Sequence, residues 1–376
     1  MTAERAKEFA VARRSESLFR MRLRKFRRLK RGYYSFCILA TAYVGSFFLP
    51  FLMNDKALVV RYRGRYYFPA FRSYLHDTFG YHPWLGVFEN RVYPPQTFGQ
   101  RSVAVRTDYR ALKEQFEAAG TDDFVILPPI PYSPFEQFLE EEGNPPAPPS
   151  RKHWLGTDDR GRDVLVRLAY GFRISITFAL LVTGLSYAFG TLVGAVLGYY
   201  GGWVDLFGLR FVEIWGAIPF LYTVIIISSL VQPGFLMLVL ILAAFGWLGI
   251  TFYIRGEFYR EKAKDYVAAA IATGESNPVI IVKHILPNAL TPIIAFAPFA
   301  IVANILTLVA LDFLGFGLPA PTPSWGELIK QGKENIREWH LVVFPLLAMF
   351  LTLQLIVFIG EAVREAFDPK VYSRLR

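Results

Sequence analysis

Apolar residues in this chain are gathered in long blocks separated by polar stretches. Six runs are almost wholly apolar: Tyr33 to Met53, Ile174 to Tyr199, Ile214 to Val231, Phe235 to Ile254, Leu290 to Leu311 and Leu341 to Gly360. A helix needs about 20 such residues to cross the hydrocarbon of a bilayer, where every backbone polar group must bond within its own segment. The blocks therefore predict an all-α membrane protein with six transmembrane helices. A long mixed-polarity interval, Asn54 to Arg173, separates the first two. Within it, Val59 to Phe68 sets Gly64 between two aromatic, Arg-rich halves and reads as a β-hairpin, and Asp108 to Ala119 reads as a short helix. Glu140 to Ser150 joins three successive Glu to Pro145, Pro146, Pro148 and Pro149, the composition of a stiff linker.

Finer pattern inside the blocks points to a packed bundle. Gly190, Gly194 and Gly198 recur every fourth residue, on one helix face, where small residues let backbones approach closely. Pro219 and Pro298 lie in or beside the third and fifth runs and are expected to kink them. Glu213, Asp312 and Glu361 fall at predicted ends of spans, not at their middles, which argues against a proton relay.

Charge then supplies topology. The net charge is +10, and residues 1–31 hold twelve Lys or Arg against three Glu. A basic arm can bind nucleic acid, but beside an apolar run it is a retention signal for the cytoplasmic side, so no nucleic-acid partner is expected. Both termini are then cytoplasmic after six crossings, and the basic tail with Arg364, Lys370, Arg374 and Arg376 agrees. The long interval carries 16 basic and 15 acidic residues and belongs outside, because long loops translocate largely regardless of charge. The Arg13-Arg14 pair is separated from the apolar run by further basic residues, unlike an export signal. One cysteine, Cys37, excludes a disulfide framework and a thiolate metal site.

Catalytic constellations are thin. No G-x-S-x-G or H-E-x-x-H occurs, and His76, His82, His153, His284 and His340 have no ligand spacing. Gly326 to Glu334 approaches a phosphate loop but has one residue too many between its glycines and Glu334 where a Ser or Thr is required. The chain is read as non-enzymatic, with no catalytic, cofactor-binding or metal residues. A rival reading makes it a membrane-embedded hydrolase built on His76, Asp77 and His82. A second rival, a gradient-driven carrier, is disfavoured because neither an inverted repeat nor a midplane charge is evident.

The interval Arg255 to Asn288 departs from the short loops elsewhere. It reads as helix, turn, helix: Asp265 to Thr273 with small residues, Gly274 as a left-handed stop, then a second helix from Ser276 and Pro278 to Pro287. Small side chains on an exposed helix suit one that seats in a cleft of another protein. Here the chain resembles the permease subunits of ABC importers, whose cytoplasmic loop reads Glu-Ala-Ala, three residues, Gly, nine residues, Ile, one residue, Leu-Pro. Ala268, Ala269, Ala270, Gly274, His284, Leu286 and Pro287 stand at those positions, with Ala268 in place of the acid and His284 in place of the isoleucine. Without the acid, contact with an ATPase should be steric and apolar.

A second stretch narrows the resemblance. Gly156, Thr157, Asp158, Gly161, Arg162 and Asp163 are similar to the G-T-D-x-x-G-R-D signature of dipeptide and oligopeptide permeases of the C type. Read from the residues alone, it is a polar turn whose carboxylates cap a helix near Val164, or, as an alternative, a calcium loop. Phe313 to Gly317 followed by Pro321 to Trp325 is similar to the same family's outer loop, and Asn54 to Val60 with Gly360 to Pro369 resembles its Yej branch.

The resemblance implies the type I ABC importer permease architecture and a heterodimer with a B-type permease. It also implies a cytoplasmic ABC ATPase that binds ATP and Mg, a periplasmic peptide-binding protein, and import of oligopeptides or peptide-like compounds across the bacterial inner membrane. The expected domains are a cytoplasmic basic arm (1–32), transmembrane helix 1 (33–53), a periplasmic insert (54–150), the signature segment (151–173), a permease core (174–360) with its coupling loop (255–288), and a cytoplasmic tail (361–376). Asp265 joins the ATPase-coupling residues above.

Overall fold

The computed structural model describes residues 18–79, 93–100, 107–139, 144–231 and 233–367 of the 376. Helix α1, Leu18–Arg28, is followed after Leu29 by α2, Lys30–Ser46. The first apolar run is therefore not one helix to Met53. Pro50 has no N–H and its ring would strike the carbonyl of Ser46, four residues back, so α2 stops there and one turn, α3, Leu49–Leu52, follows. Arg173 takes up the freed Ser46 carbonyl at 3.2 Å.

The insert has a small core of its own. Strands β1, Val59–Tyr62, and β2, Arg65–Tyr67, form the expected hairpin, with Arg63 and Gly64 both left-handed at φ 50° and 76°, the twist that a two-residue turn requires. Helix α4, Pro69–Phe79, comes next, and α5, Tyr109–Ala119, starts where the carboxylate of Asp108 accepts the amides of Arg110 and Ala111, each at 3.0 Å. A third strand not foreseen from the pattern, β3, Phe124–Ile126, pairs antiparallel with β1, giving the order β2-β1-β3. Val60, Phe98, Tyr109, Leu112 and Val125 fill the space between sheet and α5. The side chains of His76 and Asp77, together with His82, Glu140 to Glu142 and residues 368–376, lie outside the described set.

The bundle begins with α6, Val164–Tyr200, ten residues before the expected start, because Asp163 caps it by accepting the amide of Val166 at 2.8 Å. At 37 residues it is about 55 Å long, more than a bilayer core. The third apolar run is not a continuous helix either. Helix α7, Gly202–Gly216, runs for 15 residues after the chain reverses at Gly201, and α8, Phe220–Leu230, leaves at 63° to it. Pro219 sits at the break, where its fixed φ and missing N–H stop the helix. Glu213 is thus inside the first limb and not at a span's end.

Next come α9, Phe235–Lys262; α10, Asp265–Ala272; α11, Asn277–Val279; a π-helical turn, Ile280–Ile285; and α12, Leu286–Ala289. Helices α13, Thr291–Leu314, α14, Trp325–Glu334, and α15, His340–Phe367, complete the chain. Among the described residues four helices, α6, α9, α13 and α15, are long and apolar enough to cross a membrane, or five when the bent α7–α8 pair counts as one span. Helix α2, in the first expected crossing, has 17 residues and is not among them.

Buried Trp325 of α14 packs with Val164, Leu168, Val309 and Leu341 and donates its indole N–H to the Leu168 carbonyl at 3.1 Å, so α14 locks the insert end of the bundle. At the other end, Lys25 of α1 donates to the Glu365 carbonyl at 2.5 Å and the Arg22 guanidinium lies 5.0 Å from the Phe367 ring. The start and end of the described chain therefore meet at the end opposite the insert.

Candidate functional sites

The end opposite the insert carries the helix-turn-helix segment. The Ala-rich composition of α10 leaves Ala268, Ala269, Ile271 and Ala272 exposed, while Val267 and Ala270 turn inward against Phe258, Ile280 and Ile285. Gly274 ends α10 at φ 80°, a backbone state that costs other residues about 1–2 kcal/mol, with open space around it. The second helix does not stop at Pro287. It begins at Asn277, passes through the π turn and continues past Pro287 to Ala289, one residue short of α13.

Named contacts tie this segment to the bundle. Glu275 and His284 meet at 2.6 Å across the turn. Tyr199, near the end of α6, donates from its hydroxyl to Asn277 at 2.7 Å, and Lys262 donates to the Tyr199 carbonyl at 2.5 Å. Buried Glu261 accepts from Lys264 at 2.7 Å and from Tyr266 at 2.8 Å, holding the start of α10 against α9. Asp265 itself is exposed in the first turn of α10, where a negative charge favours the helix dipole. The result is a short exposed helix of small side chains on a polar mount. His284, read as the departure from isoleucine, is half-buried and closes that mount.

The signature segment stands at the insert end and is almost entirely buried. Gly156 and Gly161 take φ of 80° and 70°, and a side chain at either would strike backbone, the carbonyl of Ala147 at 2.6 Å or of Phe138 at 2.7 Å. Thr157 accepts the Ala147 amide at 2.9 Å, and its carbonyl meets His340 Nε2 at 3.0 Å. Asp158 accepts from the Arg162 amide at 2.9 Å and from Arg162 Nε at 2.7 Å, and Arg162 reaches Glu327 of α14 at 3.1 Å. Arg167, fully buried one turn into α6, closes the set through Glu327 and the carbonyls of Pro134, Pro321 and Thr322. Asp163 divides its oxygens between the Val166 amide and His153 Nδ1 at 2.8 Å. Every carboxylate of the segment except Asp159 is thus engaged by arginine, histidine or backbone N–H.

Electrostatics follow that packing. Burial opposes the charge of Arg162, but the hydrogen bond and charge of Asp158 outweigh it and raise its pKa. Asp159 is raised by burial and by the neighbouring Asp158 charge. Asp159 lines a cavity of about 560 Å³ with Lys330, Gln331 and Gly317, and its Oδ1 there has no hydrogen-bond partner. Asp312, at the end of α13, accepts the Leu318 amide at 2.7 Å and the Ser324 hydroxyl, which fixes the turn between α13 and α14. In the insert, Glu136 is pushed up to about 7, chiefly by burial, although Arg110 pairs with it.

The glycine face joins the two ends. A side chain at Gly190, Gly194 or Gly198 would lie 2.5 Å, 2.7 Å and 2.7 Å from the carbonyls of Trp247, Thr251 and Arg255, so α6 and α9 touch backbone to backbone along this line. The hydroxyl of Thr251 donates to Gly190 O at 3.2 Å. Sequence reasoning missed Arg167, Glu327 and the Asp205–Arg255 pair. Arg167 and Glu327 are separated by 160 residues, and no local spacing relates them.

A bundle of long apolar helices with a short exposed helix at one end is the arrangement of a polytopic membrane protein. Residues 190–373 match the family of the binding-protein-dependent transport system inner membrane component. The inner membrane ABC transporter permease protein YejE of Escherichia coli K12 is 42% identical over 347 residues, 92% of this chain and 95% of that protein. The peptidoglycan transport system permease protein YejE of Agrobacterium fabrum is 36% identical over 375 residues, 93% of this chain and 92% of that one. The oligopeptide transport system permease protein OppC of Haemophilus influenzae is 38% identical over 220 residues, 58% and 70% of the two chains. The chain belongs to this family and is a permease component of an ABC importer.

Proposed function

We propose that the chain is one of two different permeases, paired with a B-type partner, in an importer that moves oligopeptides or peptide-like compounds into the cytoplasm. In this reading it crosses the inner membrane six times with both termini inside, and the insert faces the periplasm, where a soluble peptide-binding protein delivers cargo. It holds no cofactor. ATP and Mg are bound by a partner ATPase that seats α10.

One observation carries the reading: α10 exposes a face of small side chains, Ala268, Ala269 and Ala272, on a mount hydrogen-bonded to both α6 and α9. A helix face made mostly of small side chains fits a cleft by shape, and a mount tied to the bundle passes on a rigid displacement. ATP biases the pore only if the ATPase holds this segment with different affinity in its two states.

The test is reconstitution in vesicles with both permeases, the ATPase and the binding protein. A Gly274→Val chain should assemble poorly or lose peptide-stimulated ATP hydrolysis. Unaltered ATP-driven peptide uptake by that variant would overturn the role of the segment. Competition between free oligopeptides and peptidoglycan fragments, two of the cargoes that the relatives' names give, tests the substrate class.

A further inference from the structure

Helix α7 is committed to the bundle on one side only. Asp205, near its start, accepts from Arg255 at 2.5 Å and 2.6 Å and from the Tyr259 hydroxyl at 2.5 Å. Gly208 lies against Leu197, Val212 is buried, and the Trp215 indole donates to the Ala244 carbonyl at 2.8 Å. On the other side Trp203, Phe207, Arg210 and Ile214 follow one another at intervals of four, three and four residues, which keeps side chains in line along a helix, and all four are exposed. Arg210 pairs with Glu213 at 2.6 Å, with side chains 66% and 44% exposed.

The depth of this ion pair follows from the contacts behind it. Trp215 is level with Ala244, the centre of the apolar run Phe235 to Ile254, while Asp205 is level with Arg255, just past the end of that run. Ser186, at the centre of the run Ile174 to Tyr199, reaches the Ala243 carbonyl at 3.5 Å, so α6 and α9 agree on where the apolar layer is centred. Glu213 then stands about 3 Å and Arg210 about 8 Å from that level, measured along the helix. Hydrocarbon strongly disfavours exposed ionised groups at such depth, so this face of α7 does not look onto lipid.

We propose that the outer face of α7, the line Trp203, Phe207, Arg210 and Ile214 with Glu213 beside it, is the seat of the second permease chain. That chain covers the line with a membrane helix of its own and supplies polar groups to the Arg210–Glu213 pair. The inference rests on the proposed function, which requires a second permease and leaves its contact face open. A helix is favoured over a water-filled path because three large apolar side chains share the line with Arg210, and water would leave them exposed. Aromatic residues and arginine are the types enriched at protein interface cores. One polar position in an otherwise apolar seam also selects partner and register.

The test uses the assembled complex in native membranes. With p-benzoylphenylalanine at position 207 or 214, irradiation should join this chain to another membrane-embedded subunit, identified by mass spectrometry. The double change Arg210→Leu with Glu213→Leu should lower the amount of the second permease recovered with the chain at least tenfold. A single cysteine at position 207 in a Cys37→Ser chain should resist a charged, membrane-impermeant thiosulfonate. Adducts with lipid alone, or undiminished recovery of the partner from the double variant, would overturn the seat in favour of a lipid face. Rapid labelling by the charged reagent would overturn it in favour of a pore wall. ATP-driven uptake that persists without any adduct removes the seat and spares the proposed function, whereas an adduct without ATP dependence does the reverse.

Discussion

The two ends of this bundle handle charge in opposite ways. At the insert end Asp158, Arg162, Arg167 and Glu327 are drawn together from two distant parts of the chain, and three of the four are buried almost completely. At the other end Glu261 is buried with two partners, but the turn after α10 is tied by single contacts that reach exposed positions, such as Glu275 with His284 and Tyr199 with Asn277. A buried network tolerates no loss of a member, because the remaining charge is stranded in a low-dielectric site. A partly exposed tie gives way to water at little cost. The insert end therefore holds one arrangement, whereas the turn after α10 costs less to rearrange.

The sharpest way to break the comparison is Arg167→Met, which leaves Asp158 and Glu327 to share one arginine, Arg162, and should destabilise the chain by about 3–5 kcal/mol. Denaturant titration in mixed micelles measures it, and Glu327→Gln added to the same chain should return part of the loss. Next is Gly194→Val, where the added side chain meets the backbone of α9 2.7 Å away. Overpacking of about 1–3 kcal/mol is expected by the same titration, with the two helices forced apart. Gly274→Val should cost about 1–2 kcal/mol of local strain, a smaller loss of stability, yet impair coupling to ATP hydrolysis more than either. His284→Ala should change stability by about 1 kcal/mol or less, since its partner Glu275 keeps access to water.

A pH series sharpens the contrast within the insert. Glu136 has its pKa raised from 4.5 to about 7 in the folded protein, so the folded state holds the proton more firmly than the unfolded one. Its contribution is full below about 4.5 and is lost as pH rises through about 7. Hydrogen exchange of residues 107–139 should therefore be slower at pH 5 than at pH 8 after correction for intrinsic rates. Glu136→Gln should flatten that dependence, and an unchanged slope would remove Glu136 as its source.

Much of the architecture was legible because it depends on neighbours along the chain. The apolar runs, the hairpin around Gly64, the cap at Asp163 and the stop at Gly274 each rest on contacts or steric rules within a few residues, and the glycine line on α6 shows in its own four-residue spacing. The signature segment was recognised as a polar turn capping a helix, and so it is. Its larger role was not legible, because its arginine meets an acid on α14 that lies 165 residues away.

The failures have the same origin. Hydropathy records how apolar a stretch is and not which way it runs, so Pro219 marked the bend between α7 and α8, but the run did not show that α7 reaches back to Gly202, and Glu213 was placed at a boundary. What the amino-acid sequence determined by itself was the medium, most of the helices, their stops and the small-residue segment after α9, all of them local consequences of side-chain chemistry. What only the tertiary structure decided was which charges share a buried site, at what depth Arg210 and Glu213 lie, and which face of α7 is left uncovered. Those depend on the meeting of distant segments, and no local pattern encodes that meeting.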